Sequence, residues 1–172
     1  DSAAAESKLR EIGTPYIMID QEMSISKSWA IIEWAGGNLD DYVTQFYVPE
    51  GENLVRPTFF FQPAYFQTML VRLYSFNGEA IPAARTLVIE LSTKNVNING
   101  QPTDIQVAIE TLQFESYAAA QAYIAERPDK KLEIVSDSPL QSPLAMPALE
   151  SFRQVYRSPS GNNPVAIFQL LD

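Results

Sequence analysis

PYIMIDQEMSISKSWAIIEWAGG, residues 15 to 37, is the stretch on which the reading of this chain turns. Pro15 cannot donate to a strand ladder and suits a strand's first position, and Tyr16 to Ile19 form an apolar run of the length of a buried strand. Asp20 ends that run. From Asp20 onward, Asp20, Met23, Lys27 and Ile31 recur at steps that share one face of a helix. Ile25, Trp29, Ile32 and Ala35 make a second stripe, which is expected to face a core. The pattern predicts a strand over 16–19 and a helix over 23–35. Gly36 and Gly37 then supply the left-handed residue that commonly ends a helix.

Working outward, residues 2–12, SAAAESKLREI, are rich in helix formers, with Ala5, Leu9 and Ile12 at helical spacing and Gly13 as a stop. Helix, strand and helix in succession give the chain an α/β-like opening. Residues 38–57 read as loop, with Val43, Phe46, Tyr47 and Val48 available for a short strand or packed turn before Pro49. In the aromatic stretch 58–78, Pro63 fits a first helical turn. Phe66, Leu70 and Leu73, flanked by Tyr65, Met69 and Tyr74, give a wide apolar face, and Asn77 and Gly78 end the helix. Such a cluster at helical spacing is core, or else an aromatic platform for a sugar or base.

The middle of the chain changes period. Thr86 to Ser92 is β-branched, VNINGQ at 96–101 contains the hairpin dipeptide Asn99-Gly100, and residues 105–114 alternate as a returning strand. Ser116 caps a helix from Tyr117 to about Glu126, stopped by Pro128, and Leu132 to Val135 is another strand. Three prolines make 137–147 irregular. After a short helical or turn segment at 148–152, strands around Val155 and over 165–171 close the chain, separated by the turn SPSGNNP. The expectation is a single α+β domain, a mixed sheet with helices packed on it.

Composition narrows the chemistry. The chain has 172 residues, 46% of them hydrophobic, which suffices for a proper core. Its 12 Lys and Arg against 21 Asp and Glu, a net charge of −9, speak against nucleic acid or an anionic membrane surface as the main partner. With no Cys and no His there is no disulfide, no thiolate nucleophile, no Ser-His-Asp triad and no histidine metal ligand. There is no Gly-rich phosphate loop and no apolar run long enough to span a bilayer. Asp40 with Asp41, and Glu50 with Glu52, are the remaining carboxylate pairs, and both read as solvated loop charge.

Four ordered features carry a resemblance: GTPYIMIDQEM at 13–23 with KSWAI at 27–31, YFQTMLVRLYSFNG at 65–78, ALESFRQVYRS at 148–158, and VAIFQLL at 165–171. Together they resemble the C-terminal soluble globular domain of the archaeal oligosaccharyltransferase catalytic subunits, the AglB family. The resemblance implies that residues 1–172 are that domain of a membrane glycosyltransferase. The complete enzyme would move an oligosaccharide from a dolichol-linked donor to the side-chain nitrogen of Asn in Asn-X-Ser/Thr. It further implies that the donor site, a divalent metal (Mg or Mn) and its carboxylates belong to a membrane-embedded N-terminal part. The family's Trp-Trp-Asp-Tyr-Gly signature has no counterpart here, since Trp29 and Trp34 stand five apart and neither precedes Asp. The chain is therefore expected to start after that signature, to hold no catalytic residue, cofactor or metal, and to be an inactive monomer by itself. Its expected partners are an acceptor polypeptide bearing Asn-X-Ser/Thr and, through the membrane part, the lipid-linked oligosaccharide. The implied location is the extracytoplasmic side of the cell membrane.

One family element, Asp-x-x-Met-x-x-x-Lys/Ile, is matched by Asp20, Met23 and Lys27. The resemblance gives these the role of holding the acceptor's Ser or Thr, for which Met offers an adaptable apolar wall to a Thr methyl. The residues also admit a plain reading, with Asp20 a helix N-cap, Met23 a gap-filler and Lys27 a solvated face residue. Two other classes stand beside the enzyme fragment. One is a non-catalytic extracellular binding module; the other, weaker, is a carboxylate hydrolase.

Overall fold

The computed structural model of the chain describes residues 2–50, 55–98, 100–159 and 161–171. Its content is mixed α+β, as the alternation of periods in the sequence implies, and its strands gather into two sheets. The chain divides into two compact units, the first built from residues 1–41, 64–82 and 145–172, the second from 42–63 and 83–144.

In the first unit, α1 (Ser2–Ile12) leads through Gly13 to β1 (Tyr16–Asp20). Gly13 sits at φ +73° and donates to the carbonyls of Leu9 and Arg10, so the predicted stop is a left-handed helix end. β1 pairs antiparallel with β8 (Val165–Leu170), which pairs antiparallel with β7 (Phe152–Arg157), giving the order β1-β8-β7. The α/β-like opening thus leads to no parallel sheet. Register sets Ile17 opposite Phe168, Met18 opposite Ile167 and Ile19 opposite Ala166. Ile17 and Ile19 join the core of Ile19, Met69, Leu73, Phe152, Ala166 and Phe168, while Tyr16 and Met18 are exposed. The apolar run is therefore a strand with one buried face. Ala5 and Leu9 of α1 pack on this core, but Ile12, the last residue of the helix, lies in solvent.

The helix expected after Pro63 is two helices, α3 (Pro63–Gln67) and α4 (Met69–Tyr74). Thr68 separates them in an extended conformation, and its hydroxyl accepts from the Val71 N–H at 3.3 Å, recapping the chain. Phe66 and Leu73 are completely buried, so the helical part of the aromatic stretch is core, while Phe59 ahead of it is exposed. Asn77 and Gly78 both adopt positive φ, and Gly78 donates to the Arg72 carbonyl at 2.8 Å.

In the second unit the order is β3-β2-β5-β4-β6, from β2 (Val43–Pro49), β3 (Val55–Phe61), β4 (Thr86–Ile98), β5 (Gln101–Phe114) and β6 (Leu132–Val135). Among the described residues the parallel pairing of Tyr47 with Val107 makes this sheet mixed. Phe46, Phe60, Leu87, Ile89, Leu91, Ala108 and Val135 fill its core. Much of the region read as loop over 38–57 is in fact the β2–β3 hairpin. Arg56 and Pro57 interrupt its apolar pattern, and Pro57 is tolerated because β3 is an edge strand. The β4–β5 hairpin closes with Ile98 opposite Gln101 and Gly100 at φ +82°, while Asn99 lies outside the described residues. α5 (Tyr117–Ala125) starts as expected, the Ser116 hydroxyl accepting from Ala119 N–H at 3.2 Å.

Candidate functional site

Where β1 ends, the backbone does not enter the α-helix that the spacing predicts. Residues Glu22–Ser26 form a π-turn, closed by the Lys27 N–H donating to the Glu22 carbonyl at 2.8 Å. Lys27 then breaks the winding at φ −111°, ψ 0°, and α2 runs only from Ser28 to Trp34. A π-turn inserts one extra residue relative to α winding, so residues beyond it are rotated by about 100° from the stripe a continuous helix would give. The turn therefore moves Trp29, Ile32 and Ala35 off the line that a continuous helix would give them with position 25. Of that stripe Trp29 is 50% exposed and Ile32 half-buried, α2 fully buries none of its residues, and Trp34, outside the stripe, is 88% exposed. Ala35 is exposed too, and the side chain of Ile25 lies outside the described residues. The stop, by contrast, has the expected form. Gly36, at φ +76°, donates to Glu33 and Gly37 donates to Ile32, the paired bonds of a Schellman end.

A helical turn begins with backbone N–H groups that have no partner inside it. Here three successive ones are satisfied from outside. Gln21 N–H donates to the Pro164 carbonyl at 3.1 Å, Glu22 N–H to Asn163 Oδ1 at 3.0 Å, and Met23 N–H to Asp20 Oδ1 at 2.6 Å. Asp20 thus acts as a cap with one of its carboxylate oxygens, the plain role open to it from sequence. Among the described side chains of the turn Ser24 is buried, its hydroxyl donating to the Gln21 carbonyl at 3.1 Å.

Met23 is 37% exposed, so it does not fill a gap in the core. Lys27 Nζ pairs with Glu22 Oε1 at 3.0 Å across the π-turn, where residues five apart come one above the other, and both side chains are about half exposed. Such a surface pair is worth about 0–1 kcal/mol. Asp20 and Met23 are therefore brought together, while no contact joins Lys27 to either of them among the described residues. This arrangement offers a carboxylate oxygen, a thioether and a paired ammonium at the surface.

Elsewhere, Asp40 and Asp41 lie exposed in a 3-10 turn over Leu39–Asp41, where Asn38 Oδ1 accepts from the Asp40 N–H at 3.2 Å. Glu50 is exposed and Glu52 lies outside the described residues. Among the described residues no group of three or more Asp or Glu side chains could hold a metal ion. No described helix is long and apolar enough to cross a membrane.

Sequence reasoning missed Arg72, Asn163 and Pro164. Arg72 is buried, its Nη1 donating to Ser2 Oγ at 2.9 Å and its Nη2 to the Pro147 carbonyl, and burial pulls its pKa down. Helical spacing set it among apolar neighbours, which was the available signal. Asn163 and Pro164 stood in a turn, and nothing local shows that their partners lie about 140 residues earlier.

No protein-family model, curated protein or solved structure matches this chain.

Proposed function

We propose that this chain is the acceptor-recognition domain of an oligosaccharyltransferase, working within a longer membrane enzyme that transfers oligosaccharide from a dolichol-linked donor to Asn in Asn-X-Ser/Thr. The observation that carries the reading is the exposed Met23 one turn from Asp20, on a π-turn, a winding found disproportionately at functional sites. Asp20 spends Oδ1 on the cap, which leaves Oδ2 to accept from a Ser or Thr hydroxyl. The thioether beside it offers a soft wall to a Thr methyl. Lys27, held by Glu22, borders the turn rather than touching the hydroxyl pocket. The donor lipid, the metal and the chemistry belong to the membrane part in this reading.

The test is Met23→Ala in the complete enzyme, with acceptor peptides that differ only in Thr or Ser. One methyl against an apolar wall is worth at most about 1–3 kcal/mol, so the kcat/KM preference for Thr should narrow several-fold. An unchanged ratio removes Met23 from the pocket. Exposed Trp29, Ile31 and Trp34 favour one second reading, a binding module without catalysis, because open apolar surface marks interaction sites. In that case the complete protein transfers no oligosaccharide to either peptide.

A further inference from the structure

The π-turn that carries Asp20 and Met23 is held by a turn distant in sequence. Pro164 O accepts two bonds, from Gln21 N–H at 3.1 Å and from Tyr74 Oη at 3.2 Å, so α4 anchors the same carbonyl that receives the end of β1. The next acceptor along is Asn163 Oδ1, which takes the Glu22 N–H at 3.0 Å. The base of this β7–β8 connection is fixed by Ser158, whose N–H donates to the Val165 carbonyl and whose hydroxyl accepts from the Val165 N–H, both at 2.8 Å. A backbone N–H can only meet the amide's oxygen, so the orientation of the Asn163 side chain follows from its partner.

We infer that Asn163 is a positioning residue for the Asp20–Met23 turn, an inference that rests on the acceptor reading above for its functional consequence. Glu22 is the pivot. Its N–H is taken by Asn163 and its carbonyl by Lys27 N–H, so the two ends of the same peptide neighbourhood fix where the turn starts and where it closes. With Pro164 holding Gln21 and Asn163 holding Glu22, the backbone is committed before Lys27 is reached, and closure falls five residues on rather than four. Release of Glu22 lets residues 21–26 rewind and shifts Met23 relative to Asp20. The β1–β8 ladder, which has its own bonds, is untouched.

The experiment compares Asn163→Leu, which keeps the size and removes the acceptor, with Asn163→Asp, which keeps an oxygen in place. Amide solvent-exchange rates are read by NMR on the 172-residue chain. In N163L the Glu22 amide should exchange faster by up to about tenfold, the loss expected for one hydrogen bond of ordinary net strength. N163D should restore it, and the Ile19 and Phe168 amides should not change in either. Unchanged Glu22 exchange in N163L, or no recovery in N163D, overturns the inference. The same pair in the complete enzyme separates the two claims, since N163L should raise KM for acceptor peptides more than it lowers kcat and N163D should not. If Glu22 is freed in N163L and held in N163D while KM stays constant, Asn163 positions the turn as stated and the acceptor reading of Asp20 and Met23 is what fails.

Discussion

Residues 22–34 and 63–74 are alike as sequence and opposite as structure. Each is a dozen or so residues with apolar and aromatic side chains at helical spacing, and each is interrupted once, at Lys27 and at Thr68. In the second segment the interruption is an extended residue whose side chain caps the next turn, and both halves reach the core through Phe66 and Leu73. In the first segment the interruption follows a π-turn, and α2 carries Trp29 and Trp34 into solvent. The comparison teaches that helical periodicity fixes which side chains line up. Whether that line meets a core depends on the winding at the junction and on what stands opposite.

The largest effect should separate the two segments outright. Phe66→Ala is expected to cost about 3–5 kcal/mol in denaturant unfolding, because it empties a fully enclosed site. Trp34→Ala, although it removes a larger side chain, should stay within about 0.5 kcal/mol. A Trp34 variant as damaging as the Phe66 one would mean that α2 is covered in solution.

The junctions should come next in size. Thr68→Ala and Asp20→Ala each remove an oxygen that accepts a backbone N–H, and each should cost about 1 kcal/mol. Similar losses of melting temperature in the two would sharpen the likeness of the segments at their caps. A Thr68 variant of unchanged stability would show that α3 and α4 do not depend on the cap.

Smaller still, Met23→Ala should alter unfolding by no more than about 0.5 kcal/mol, the range for surface positions. A loss of about 2–5 kcal/mol would return Met23 to the role of buried filler. The smallest effect lies outside both segments. The Ser151 hydroxyl, opposed next by burial and helped by a hydrogen bond and charge from Arg10, holds the Glu6 carboxyl below its ordinary 4.5. A lowered folded pKa contributes stability above the unfolded value, and the contribution is lost as pH falls through the folded one. The stability difference between the native chain and Glu6→Gln should therefore be present above about pH 4.5 and shrink below it. A difference that is flat with pH would remove Glu6 from the acid response.

Much of both units was legible because local chemistry decides it. Gly13 and Gly36 end helices at positive φ, Ser116 caps α5, and β1, β6, β7 and β8 lie where apolar runs placed them. The β2–β3 hairpin was hidden because Arg56 and Pro57 break its alternation, and only an edge position makes Pro57 acceptable. The candidate site was half legible. Asp20 could be read as a cap, since a carboxylate before a helical turn has that use whatever surrounds it. The exposure of Met23 and the π-winding could not, because the turn is held at Gln21 and Glu22 by Pro164 and Asn163, which are distant in sequence.

By itself the sequence determined what short-range physics controls: helix starts and stops, the hairpin around Gly100, the period change from helix to strand, and the exclusion of thiol and imidazole chemistry. Tertiary structure alone decided which strands pair. β1 lies against β8 rather than in one sheet with the middle of the chain, and this puts the turn holding Asn163 beside Glu22. The reason is that strand pairing and an acceptor for an orphan N–H are satisfied equally well by any partner of the right shape. A choice among such partners is made by long-range packing, which leaves no mark in the residues next to the site.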